Sequence, residues 1–100
     1  MMKIVEKIKD AIMDELDGAK EYAEKYIEKK SYGDSLNASK FHEMAEDELK
    51  HARYMYEMGA SRMAAIKKVH DLSSEDEEMW SHIVKRYNEC TAIIKMMISS

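Results

Sequence analysis

The sequence predicts an all-α protein, and three observations predict it. The 100 residues hold no proline and only three glycines. Apolar residues recur at three- and four-residue spacing along most of the chain, the period of a helix with one dry face. Short polar clusters with capping chemistry separate the periodic stretches. A β-sandwich would need turn residues about every 8–12 positions, and they are missing here. Hydrophobic residues make up 45% and charged residues 36% of the chain. That balance suits amphipathic helices and is unlike a disordered tail. The length corresponds to a single domain, residues 1–100.

The first helix is predicted from about Lys3 to Lys30. It stops in Ser31-Tyr32-Gly33-Asp34-Ser35, where Gly33 can end one helix and Asp34 or Ser35 can cap the next. The second helix is predicted from about Leu36 to Met58, with Gly59 as its stop. Ser61 would then cap a short helix, roughly Arg62 to His70. Ser74 with Glu77 three residues on has the pattern of a capping box, which opens a third long helix over about Glu75 to Ile98. The connection at 31–35 is short, so the first two helices should be antiparallel neighbours. This gives a hairpin over residues 3–59 and C-terminal helices over 61–98.

Several functions are excluded or disfavoured. Net charge is −4 and the Lys and Arg residues are scattered, so there is no basic patch for nucleic acid. A single cysteine, Cys90, rules out an intramolecular disulfide and a Cys-based zinc site. Charges interrupt the N-terminal segment every few residues, unlike a signal peptide. No apolar run approaches the ~20 residues that span a bilayer, and the expectation is a soluble, cytoplasmic chain with no membrane partner. No phosphate loop, nucleophile elbow or zincin motif is present.

The most informative feature is a pair of interrupted seams. On the first helix the three-four rhythm gives Val5, Ile8, Ile12, Glu15, Ala19, Tyr22 and Tyr26. On the second it gives Ala38, Phe41, Ala45, Glu48, Ala52, Met55 and Gly59. Each stripe carries one glutamate near its middle. A carboxylate there is costly unless paired, protonated or metal-bound. Glu15 lies 18 residues before Gly33, Glu48 lies 15 after it and His51 lies 18 after it. At about 1.5 Å per residue, an antiparallel hairpin brings all three to within a few Å in height. His51, three residues after Glu48, shares its face. Two carboxylates and an imidazole should therefore converge, a donor set suited to iron, manganese or zinc. Gly18, with Ala11 and Ala19, keeps the surroundings of Glu15 small. Either bulk there would fill a site, or small residues simply let the helices approach.

The stretch Asp14-Glu15-Leu16-Asp17-Gly18-Ala19-Lys20-Glu21-Tyr22, followed by Phe41-His42-Glu43-Met44-Ala45-Glu46-Asp47-Glu48-Leu49-Lys50-His51-Ala52, resembles the first helical hairpin of the ferritin-like superfamily, nearest its rubrerythrin branch. The resemblance covers residues 5–59. It implies a di-iron carboxylate protein in which Glu15, Glu48 and His51 are metal ligands, with iron as the cofactor and manganese or zinc as substitutes. It further implies iron oxidation by O2 or peroxide, as a ferroxidase or a rubrerythrin-like peroxidase. A full family bundle supplies a second Glu and Glu-x-x-His from a second hairpin, and this chain has no counterpart after Gly59. Glu78 and His82 lie near the start of the third helix and fit solvent better than a ligand role. The four cysteines of a rubredoxin-type centre are also missing. Short members such as the encapsulated ferritins complete their site by pairing two chains. The resemblance thus implies a homodimer or larger homo-oligomer with a four-helix bundle completed by dimerisation, although the tail Ile94–Ser100 shows no encapsulin-loading peptide. The alternative is a non-catalytic helical interaction or structural module whose Glu/His cluster is a polar network.

The remaining residues have simpler expectations. Tyr22 either packs in the core or serves the site as a redox or supporting tyrosine. Met44, Met55 and Met58 fall on packing faces as gap fillers. His42 and His70 are expected on the surface, and Cys90 as a small buried hydrophobe on the third helix.

Overall fold

The computed structural model describes residues 2–100, with side chains from Lys3 onward; Met1 lies outside it. The described residues form three helices, α1 (Met2–Ser31), α2 (Ser35–Val69) and α3 (Ser74–Ile98), and no strand occurs among them.

The α1–α2 turn follows the sequence closely. Gly33 has φ +75°, a left-handed conformation costing other L-residues roughly 1–2 kcal/mol. The Gly33 N–H donates to the Lys30 carbonyl at 3.1 Å and the Asp34 N–H to the Lys29 carbonyl at 2.9 Å, the paired bonds of a Schellman turn. Asp34 then caps α2, its carboxylate accepting from the Asn37 N–H at 3.2 Å. One three-residue link closes one helix and opens the other, so the chain reverses directly.

Two expected helix boundaries are corrected. The separate short helix over 62–70 does not exist, because α2 runs through Gly59 to Val69 as one 35-residue helix. Gly59 is buried and does not adopt positive φ. A Cβ at this position would lie 2.5 Å from Ile8 Cγ2 and 3.7 Å from the Trp80 ring. The glycine marks a close approach of α1 and α3, not a stop. The cap of α3 is Ser73 rather than Ser74, its Oγ accepting from the Asp76 N–H at 3.1 Å. The stretch offers the capping frame twice, and the earlier one is used, with Asp76 buried at 4% exposure. Glu75, Asp76 and Glu77 all sit in the first turn of α3, where negative charge complements the helix dipole.

The antiparallel α1–α2 pair forms the most extensive interface, and α3 lies mainly along α1 with fewer points on α2. Val5, Ile12, Leu16 and Ala23 of α1 meet Ala45, Ala52 and Met63 of α2 and Ile83, Ile94 and Ile98 of α3 in one core. Tyr56 of α2 stacks on Tyr87 at 4.1 Å and on Trp80 at 5.9 Å between ring centroids, tying α3 to α2. At the hairpin end Tyr26 donates to the Ser100 carbonyl at 3.0 Å. His42 is not the surface histidine expected. It is half-buried, with Nε2 2.8 Å from the Ile98 carbonyl oxygen and Nδ1 3.0 Å from Glu46 Oε1. The result is a rod of 54 × 18 × 17 Å. No described helix is long and apolar enough to cross a membrane.

Candidate metal centre

The structure brings Glu15, Glu48 and His51 together. One ligand atom from each lies within 4.8 Å of the other two, the one such convergence of three His, Cys, Asp or Glu side chains among the described residues. Glu15 comes from mid-α1, and Glu48 and His51 from one face of α2. They meet because the Gly33 turn sets both helices at the same height, as the residue counts require. His51 Nδ1 lies 3.7 Å from Glu15 Oε2 and 3.5 Å from Glu48 Oε1. These distances are too long for good hydrogen bonds. They are close to the ~3–3.5 Å that separates donors placed about 2.1 Å from a common ion.

The electrostatics are unusual for a structural cluster. Among the described residues neither carboxylate has a Lys or Arg nitrogen within ion-pair distance; His51 is the basic group they share. The Glu48 carboxyl is held above its ordinary value of 4.5, first by a hydrogen bond with Glu15, then by partial burial and by the Glu15 charge, while His51 acts in the opposite direction. Two acids thus crowd one place, and the crowding favours the protonated form of Glu48. A divalent cation would relieve this crowding, and oxygen plus imidazole donors suit a transition metal. The side chains of Glu15 and Glu48 are 28% and 26% exposed and that of His51 is 51% exposed, so an ion could reach the cluster from solvent.

The neighbours complete the picture. Gly18 faces Glu48, whose Oε2 lies 3.0 Å from where a Cβ would stand. Tyr22 stacks on Phe41 with centroids 6.2 Å apart, the packing role among its two expectations. Beside the cluster, Ile8, Ala11, Met55, Met58 and Gly59 line a cleft of about 230 Å³ between α1 and α2. Met58 and Met44 remain 57% and 38% exposed. Glu78 and His82 stand in solvent on α3, as their position near the helix start predicts. A larger cleft of about 490 Å³ runs between α2 and α3 past Leu49, Arg53, Tyr87, Thr91 and Lys95. It excludes all three candidate ligands, and volume alone is a poor guide to the chemistry here.

No family model matches the chain, and neither a curated protein nor a solved structure does.

Proposed function

We propose that Glu15, Glu48 and His51 bind a transition metal ion, and that the protein is a ferritin-like di-iron carboxylate protein that oxidises iron with O2 or peroxide. The observation that carries this reading is the convergence of three donor atoms within 4.8 Å from two helices, with no Lys or Arg nitrogen of the described residues within ion-pair distance of either acid. The hairpin supplies a carboxylate on one helix and Glu-x-x-His on the other, half of a family-type set. Iron would supply the redox chemistry. The chain's residues do the rest: Glu15 and Glu48 provide anionic oxygens, and His51 offers Nδ1.

The second half of the site would come from a second copy. Two hairpins facing each other about a twofold axis offer four carboxylates and two imidazoles, and twofold dimers are the commonest closed assembly. The partly exposed Met44 and Met58 and the apolar cleft beside Ile8 and Met55 support this, because they would be covered in such a dimer.

The test is metal analysis and sedimentation of protein purified without chelator, then titrated anaerobically with Fe2+. The expected stoichiometry is two ions per dimer, followed by iron oxidation on admitting O2 or peroxide. Glu15→Ala, Glu48→Ala and His51→Ala should each abolish tight binding. Full metal content in Glu48→Ala would overturn the site, and a strict monomer holding two ions per chain would overturn the shared centre. Wild-type protein that binds no metal would leave a polar network as the role of the cluster.

A further inference from the structure

We propose that Gly18 is a positioning residue for the Glu48 carboxylate, keeping a notch in α1 that holds one carboxylate oxygen and leaves the other facing His51; this rests on the metal-site reading above. A Cβ at Gly18 would stand 3.0 Å from Glu48 Oε2, 3.6 Å from Cδ and 3.8 Å from Cγ. The opposite oxygen, Oε1, is the one 3.5 Å from His51 Nδ1. One oxygen therefore lies at the notch and the other faces His51.

Nothing else in the fold asks for glycine at position 18. It lies in the interior of α1 without positive φ, where alanine is the better helix former. Gly59 offers the contrast. Its missing Cβ makes room for a branched apolar side chain of the core, whereas the atom nearest the missing Cβ of Gly18 is the tip of a flexible acid. That tip can swing aside, so an added methyl group spares the fold and displaces the donor. The helix is thus weaker than it could be at a place where a methyl group would disturb a candidate ligand.

The experiment uses the full chain and Co2+ as the probe, read by its ligand-field spectrum and by titration, with thermal unfolding of the metal-free protein alongside. Gly18→Ala should raise the metal-free Tm by about 4 °C. It should also weaken Co2+ binding by about 10–100-fold, the range for residues that orient a ligand, and alter the spectrum. Glu48→Asp should bind weakly, and adding Gly18→Ala to it should change affinity by less than about threefold, because the shorter acid no longer reaches the notch. Wild-type affinity and spectrum in Gly18→Ala would overturn the proposal. So would an equal loss in both backgrounds, or a fall in metal-free Tm, which would give the notch to the fold. Failure of the wild type to bind Co2+ overturns the metal site itself and the positioning role with it, and the wild-type arm identifies that case.

Discussion

Gly59→Ala tests whether α2 is continuous because a glycine lets two helices touch. The added Cβ would lie 2.5 Å from Ile8 Cγ2, against an ordinary carbon contact of about 3.5–4.0 Å. Something must move by about 1 Å. Ile8 yields poorly, because β-branched side chains in helices are held to one main χ1 rotamer, and the Trp80 ring stands 3.7 Å away on another side. Overpacking of this kind costs about 1–3 kcal/mol, and alanine returns about 1 kcal/mol in helix propensity. The net is a destabilisation of about 1 kcal/mol, which for a chain of this size lowers Tm by about 4–8 °C. The decisive arm is the Ile8→Ala background. With the methyl groups of Ile8 gone, the clash disappears and Gly59→Ala should become stabilising by about 1 kcal/mol. Thermal or urea unfolding of the four proteins gives both numbers. A neutral or stabilising Gly59→Ala in the wild type, or no change of sign in the Ile8→Ala background, would refute the close-approach argument.

Three further outcomes follow from the same structure. Glu48 holds its proton more tightly in the folded chain than its ordinary 4.5, so its stabilising contribution is full below that value and is lost as pH rises through the folded-state value; metal-free Glu48→Gln should remove this decline and exceed the wild type in stability at pH 7 by urea titration. His42→Phe keeps an aromatic ring beside Tyr26, 5.1 Å away, but loses the bond to the Ile98 carbonyl; the expected cost is about 1 kcal/mol, with faster hydrogen exchange at the C-terminal turn of α3. Asp34→Ala removes the α2 cap and should cost about 1 kcal/mol in chemical denaturation, with the Glu15–Glu48–His51 cluster intact.

The candidate site was legible in the sequence because it depends on few physical quantities. One unambiguous turn at Gly33 and a fixed rise per residue place Glu15 and His51 at one height before any packing is known. Periodicity then puts Glu48 on the same face as His51. The seams were legible for a similar reason: Ala38, Ala45, Ala52 and Gly59 are all buried, and Phe41, Glu48 and Met55 between them are half-buried. Gly59 misled because a glycine in a helical pattern has two causes, a stop or a close approach, and only the opposing Ile8 distinguishes them. Leu16 and Ala23 lay outside the seam yet are buried, because α3 covers a second stripe of α1. Helical periodicity gives α3 an apolar face, with Ile83 and Ile94 buried, but does not say which groove of the hairpin receives it. For His42, the Ile98 carbonyl is a tertiary partner 56 residues away, and no local pattern announces such a bond.

The placement of α3 bears directly on how the site could work. α3 settles mainly along α1, against Leu16 and the residues beside it, where Met13, Cys90 and Ile94 line a shared crevice. Glu15 sits one position before Leu16 and so points about 100° away around the helix axis. The third helix can therefore seal the core without supplying a lid for the acids. The cluster interrupts the core stripe that faces α2, while α3 covers the neighbouring stripe through Leu16. Two partly exposed acids without a lysine or arginine within ion-pair distance are tolerable in a metal-free chain because they retain contact with water. Covering them with a second hairpin would remove that water and raise the cost of the unpaired charge. On the dimer proposed above, association over this face would be coupled to metal binding: the cation would offset the charge that association would otherwise bury, and the second copy would supply further donors, so sedimentation should show a larger species with metal than after chelation.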